Sequence, residues 1–244
     1  MELNCDLGEG ESPALTSGLC SWVRRINVAC GGHAGDADSM GRCVRLAREH
    51  GLLLGAHPGM PGAFGRGDVR VDASGLVQLL ESQVFRLELH AAKEGMDLHH
   101  VKLHGGLYHA VERDPGLARV AAEWAGRNEP LLAMVGLPGG CLQAAAHAAG
   151  VPFVPEGFLD RGYRPDGSLV PRGEPGAMLG GEAAVVRRLN RWLDTGGIEA
   201  VDGTWVRLDV RTWCVHSDTP GSLAVAAAAA RTLGCEPMGR EGKV

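Results

Sequence analysis

The chain has 244 residues, 45% of them hydrophobic and 22% charged, with a net charge of −5. That length suits one large domain or two small ones, and the composition allows a sizeable core and excludes general disorder. A mild negative charge without a basic block argues against nucleic acid or an anionic membrane as partner, and no run approaches the roughly 18 apolar residues of a spanning helix.

The opening MELNCDLGEGE is acidic and passes directly into structure, so no signal peptide is expected. Apolar runs predict strands at 2–5, 26–30, 52–56, 100–103, 131–135, 152–155 and 213–215. Helical patterns lie between them at 38–50, 117–125, 140–149, 181–193 and 222–233. The clearest helix begins at Ser74, a candidate N-cap, carries Leu76, Val77, Leu80, Val84, Leu87 and Ala91 at spacings of three and four, and ends at Gly95. Such alternation predicts a parallel α/β sheet, closed as a barrel or open and doubly wound. The segments 157–176 and 199–209 break the rhythm and read as excursions from a single domain spanning 1–244, the second as a short hairpin.

Chemistry gathers where the strands end. Asp6 and Glu9 follow the first, His33 and Asp36 the second, and His57 the third, with Arg66 in the next loop; the fourth carries Lys102 and His104. The sixth runs into Glu156, Asp160 and Arg161, and the seventh into His216, Asp218 and Thr219. In a parallel sheet these ends share one edge, where ligands bind. Asp36 also reads as the cap of the helix after it, and Asp218 or Thr219 as the cap of the last helix. His50, His90, His99 and His147 read as inert.

Seven cysteines without a C-x-x-C pair read as small core residues of a reducing, cytoplasmic protein. No G-x-x-x-x-G-K-[ST] loop and no G-x-S-x-G elbow is present; GLPGG at 136–140 is a weak anion-cradle signal, and the terminal GREGK has the wrong spacing.

Taken together, NCDLGEGE, ACGGHAGD, GAHPG with FGR, HVKLHGGLYH, EGFLDRGYRPDGSLVPRGEPGAM and CVHSDTPG run almost end to end. In them the chain resembles the LamB/YcsF family, whose characterised members serve as the A component of a bacterial ATP-dependent 5-oxoprolinase. It departs from the usual pattern at Gly32 (usually Phe), Gly67 (Arg), Leu103 (Pro), Gly106 (Ala), His109 (Asn) and Ser217 (Gly), whereas the ionisable core gathered at the strand ends, from Asp6 to Asp218, matches.

The resemblance implies an irregular seven-stranded (β/α) barrel of the glycoside hydrolase/deacetylase type. It also implies ATP-driven hydrolysis of 5-oxo-L-proline to L-glutamate, with Mg2+ accompanying the nucleotide and subunits B and C as partners. In that reaction Asp6 or His57 would be the base for water, and Lys102 with His104 would stabilise the oxyanion. Arg66 or Arg161 would hold the substrate carboxylate, and Glu9, His33, Glu156, Asp160, His216 and Asp218 would line the substrate site. Two other readings stand beside this one. One is a metal-dependent deacetylase or amidohydrolase with Asp6, His33 and His57 as ligands; the other is a substrate-binding subunit without chemistry of its own.

Overall fold

The computed structural model describes residues 1–62 and 69–238. The elements run β1 (Glu2–Leu7), α1 (Pro13–Cys20), β2 (Arg25–Ala29), α2 (Ala37–Glu49), β3 (Leu53–His57), α3 (Ala73–Lys93), β4 (His100–Lys102), α4 (Gly105–Arg113) and α5 (Pro115–Ala125). They continue with β5 (Ala133–Gly136), α6 (Cys141–Ala149), β6 (Phe153–Phe158), α7 (Glu182–Thr195), β7 (Gly197–Glu199), β8 (Trp205–Arg207), β9 (Thr212–His216) and α8 (Ser222–Thr232). β1 to β6 pair in parallel sequence, and β9 closes the barrel by pairing with both β6 and β1. Of the two sheets that alternation allows, the chain forms the closed one. β7 and β8 form a separate antiparallel hairpin, beginning two residues before the expected one.

Successive strand residues face opposite ways, so each barrel strand has an outward and an inward set. Outward residues such as Leu3, Cys5, Ile26, Val28, Leu54 and Val101 join an apolar core that the helices cover. α3 contributes Leu76, Leu80, Val84 and Leu87, all buried, each worth about 1.5–3 kcal/mol of apolar burial. The inward set is polar: Asn4, Asp6, Asn27, His57, His100, Lys102, Glu156 and Thr212 are all buried. That lining explains why apolar runs ended β1, β3, β6 and β9 too early. Asp6, His57, Glu156 and His216 lie within strands rather than after them. Space inside is tight. Gly55 pairs in register with His100, and a Cβ there would lie 2.1 Å from the His100 ring.

Local chemistry sets the helix ends. Asp72, not Ser74, caps α3, its carboxylate accepting the Gly75 N–H at 2.8 Å. Asp36 caps α2 in a reciprocal pair with Ser39. Neither Asp218 nor Thr219 caps α8, whose N-cap is Gly221. α1 and α4 escaped the sequence pattern: α1 has only eight residues, and α4 starts inside a glycine- and histidine-rich run that reads as loop. After β6, isolated antiparallel bridges (Arg161 with Met178, Tyr163 with Leu169) tie the 159–180 excursion together. All seven cysteines are unpaired and five are buried. No described helix is long and apolar enough to cross a membrane.

Candidate active site

Glu9, His33, His57 and His104 meet at the C-terminal mouth, each brought by a different strand or the loop after it. Gly8 and Glu9 donate their backbone N–H groups to the Glu11 carboxylate at 2.8 and 2.9 Å, which fixes the loop after β1. The loop after β2 folds back on its strand. Gly35, at φ +91°, sits so close that a Cβ would lie 2.2 Å from the Ala29 carbonyl oxygen, and the Gly31 N–H donates to the Ala34 carbonyl at 2.7 Å. His33 is thereby placed with its Nε2 2.8 Å from Glu9 Oε1. Its ring stacks on His104, centroids 3.5 Å apart and nearly parallel. His104 Nδ1 lies 3.1 Å from the same Glu9 oxygen and 3.0 Å from His57 Nε2. His57 donates from Nδ1 to the Lys102 carbonyl at 2.7 Å, so its Nε2 turns a lone pair toward the cluster.

Burial disfavours charge on two of these imidazoles, His57 and His33. It pushes His57 down to about 3 and lowers His33, against the pull of Asp6 and Glu9 respectively. Burial also opposes charge on Glu9, yet hydrogen bonds from His104 and His33 outweigh it and hold that carboxyl below the ordinary range.

Beneath the cluster lies a buried ionic group. Lys102 Nζ is 2.9 Å from Asp6 Oδ1, 2.8 Å from Glu156 Oε1 and 3.1 Å from Cys214 Sγ. Burial works against its charge, but Asp6, Cys214 and Glu156 prevail and raise Lys102 above the usual lysine range. Asp6 is lowered, since His57 and Lys102 outweigh its burial. Burial and the nearby Asp6 raise Glu156 despite Lys102. A polar chain supports this group from inside the barrel. His100 Nε2 donates to Asn27 Oδ1 at 2.7 Å, and the Asn27 amide donates to Asn4 Oδ1 and Asp6 Oδ1, each at 2.8 Å.

The third unit is a dyad. His216 donates from Nδ1 to the Asp160 carboxylate, at 3.0 and 2.9 Å to its two oxygens, and Thr219 adds its hydroxyl at 2.9 Å. Burial would raise Asp160, but His216 and Thr219 hold it at about 2.

The remaining predicted residues lie differently. Arg161 is buried and spends Nε and Nη2 on the Ala177 and Val170 carbonyls at 3.2 and 2.6 Å, stitching the excursion together. Asp218 is exposed, 3.4 Å from Arg172. Arg66 and Gly67 lie outside the described residues, as does the terminal GREGK. The glycine-rich turn before α6 does not fit a nucleotide phosphate, because its amides are taken. Leu137 N–H donates to Glu112 Oε1 at 2.8 Å and Gly139 N–H to Gln143 Oε1 at 2.7 Å. Among the described residues two groups have the donor set of a metal ion, Glu9 with His33, His57 and His104, and Asp6 with Cys214 and His216; Asp6 is also engaged by Lys102 and Asn27.

Sequence reasoning missed Glu11, Asn4, Asn27, His100 and Cys214. Period-two alternation through each strand to its polar end would have placed Asn4 and Cys214 on the inward face with Asp6 and His216. The structure also accounts for Gly32. A Cβ there would lie 2.3 Å from the Gly59 carbonyl oxygen and 2.4 Å from the Gln83 amide. Gln83 of α3 grips both the N–H and C=O of Gly59, at 3.0 and 2.9 Å, so the space beside residue 32 is filled.

A closed parallel barrel with carboxylates, imidazoles and a buried lysine at its C-terminal mouth defines an α/β barrel with an acid–base site of the kind hydrolases use. The LamB/YcsF family model matches residues 1–239, and the chain belongs to that family. Among its relatives, the 5-oxoprolinase A-subunit of Pyrococcus furiosus is 37% identical over 96% of this chain and 93% of its own. The protein of the same name from Heliobacterium modesticaldum is 36% identical over 96% and 94%. The crystal structure of a lactam utilization protein from Thermus thermophilus is 34% identical, with a TM-score of 0.86 over 97% of this chain and 98% of that one. An uncharacterised protein of Agrobacterium tumefaciens shares the fold at 14% identity, with a TM-score of 0.56 over 97% of this chain and 86% of that one.

Proposed function

We propose that this chain opens the lactam ring of 5-oxo-L-proline to give L-glutamate, as the A component of an ATP-dependent 5-oxoprolinase completed by subunits B and C in the cytoplasm. The observation that carries this reading is the convergence of three imidazoles with Asp6, Glu9 and the Asp160–His216 dyad at one barrel mouth. Near-full-length identity to proteins named for this role supports it. ATP with Mg2+ is assigned to the partner subunits, in keeping with the filled turn before α6 and a sequence without a P-loop.

A lactam is a stabilised amide, so its hydrolysis needs a polarised carbonyl and a base that takes a proton from water. A base works best with a pKa near the working pH. Asp6 is held far below that and His57 at about 3, so both are weak bases at neutral pH. The geometry favours His216. Asp160 fixes its Nδ1–H, orients the ring and stabilises the imidazolium, leaving Nε2 to exchange the proton. Lys102, its partners being Asp6, Glu156 and Cys214, acts by holding Asp6 ionised, while His104 and its neighbours face the carbonyl. The substrate carboxylate falls to Arg66.

The test is coexpression with the B and C subunits and an assay of ATP-dependent glutamate release from 5-oxoproline. Turnover by the complex is expected, together with a fall of about 100-fold or more in kcat for His216→Ala and little change in KM. No glutamate release from a well-assembled complex would overturn the reaction. Undiminished kcat in His216→Ala would move the base elsewhere.

A further inference from the structure

We propose that Glu9, His33, His57 and His104 form a binding site for one divalent transition-metal ion of the zinc type. The four donor atoms all lie within 4.8 Å of one another. Four of their six separations are 2.8, 3.0, 3.1 and 3.6 Å, for His33–Glu9, His57–His104, His104–Glu9 and His57–Glu9. A tetrahedral ion with bonds of about 2.0–2.1 Å requires ligand atoms about 3.3–3.4 Å apart, and these values bracket that length. Small side-chain movements, spreading the three shorter pairs and drawing in the longer one, complete the shell.

Each ligand is aimed by something behind it. The Lys102 carbonyl takes the Nδ1 hydrogen of His57 at 2.7 Å, the outer contact that orients a metal-bound imidazole and fixes its tautomer. Glu9 is carried on a turn whose amides are tied to Glu11. His33 and His104 stack on each other and pack against Gly59, where a Cβ would lie 2.6 Å from His33 Nδ1 and 2.9 Å from the His104 Cβ. Side-chain exposures are 1% for His33, 2% for His57, 7% for His104 and 14% for Glu9, so the opening lies on the Glu9 side.

The donor set selects the ion. Three neutral imidazoles with one carboxylate suit zinc, cobalt or a similar borderline ion, whereas magnesium and calcium demand oxygen shells. The charges agree. The Glu9 carboxylate supplies negative charge at the cluster, and the Lys102 ammonium beneath is already paired with Asp6 at 2.9 Å.

Donor geometry alone supports the site, and metal uptake is what the test reads, so the site stands or falls separately from the reaction. Purified full-length protein, stripped with a chelator and checked for folding by circular dichroism, is titrated with Zn2+ by calorimetry and with Co2+ by visible absorption. One ion per chain is expected, with intense Co2+ d–d bands of a four- or five-coordinate site and a raised Tm. His33→Ala and His104→Ala should each weaken Zn2+ more than about 100-fold, beyond the loss typical of outer-shell contacts. His109→Gln, outside the cluster, should bind as wild type. Failure of the folded wild-type protein to take up Zn2+ or Co2+ at micromolar concentration would overturn the site. So would uptake unaltered in both ligand variants.

Discussion

Lys102 shows how one buried residue organises a site it does not need to touch. With Asp6, Glu156 and Cys214 around it and only 2% of its side chain exposed, it keeps Asp6 ionised under three imidazoles. Removing one partner of a buried pair strands the other. Lys102→Met is therefore expected to cost about 3–5 kcal/mol in urea unfolding at pH 7. A loss below about 1 kcal/mol would show that Asp6 is held by the Asn27 amide instead. The residue types of this group were legible in the sequence, because ionisable side chains at the ends of parallel strands collect at one rim. Their pairings were not. Asp6 and Glu9 both follow the first apolar run, and the turn at Gly8 (φ +79°), tied to Glu11, sets Glu9 against His33 and His104 and leaves Asp6 between Lys102 and His57. A carboxylate's partner depends on a loop conformation that apolar periodicity does not encode.

At the scale of elements, α3 does more than cover the sheet. Its Gln83 reaches across to clasp the Gly59 backbone, which in turn lies against His33 and His104. Gly32 completes the fit by having no side chain. Gly32→Ala must displace the Gly59 carbonyl or the Gln83 amide, and about 1–3 kcal/mol of destabilisation is expected. Pairing it with Gln83→Ala should recover part of that loss, read from the urea midpoints of the two variants. If Gly32→Ala unfolds at the wild-type midpoint, the clasp gives way at no cost. The apolar stripe of α3 was plain from Leu76 to Ala91 because helices announce themselves by period. Its cap was misplaced because Asp72 and Ser74 are both good N-caps, and only the Gly75 contact decides between them. Strand ends were drawn short for a related reason. Polar residues that face into a barrel look like loop to any reading that follows apolar runs.

Across the whole molecule, buried histidines set the response to acid. Burial lowers His57 to about 3 and His109 to about 4, and it lowers His33 and His100 as well. Unfolded, each would titrate near 6.5. Below that pH the unfolded chain takes up protons that the folded chain refuses. Their contribution to stability is thus complete above about pH 6.5 and is lost progressively as the pH falls toward 4. Glu112, raised to about 7 by burial, acts in the opposite sense over part of the window, but it is outnumbered. Urea midpoints are expected to fall between pH 7.5 and pH 5, and less steeply in His109→Gln. An unchanged midpoint would mean that the histidines protonate without leaving their places.

The closed ring also bears on how the protein is made. β1 is synthesised well before β9, yet it lies between β2 and β9, and Asn4 bonds Thr212 across 208 residues of sequence. A nascent chain that has not yet delivered β9 therefore has neither its last seam nor the His216 half of its dyad. Synthesis interrupted before β9 leaves β1 and β6 with unpaired edges, the template on which open sheets associate with other chains.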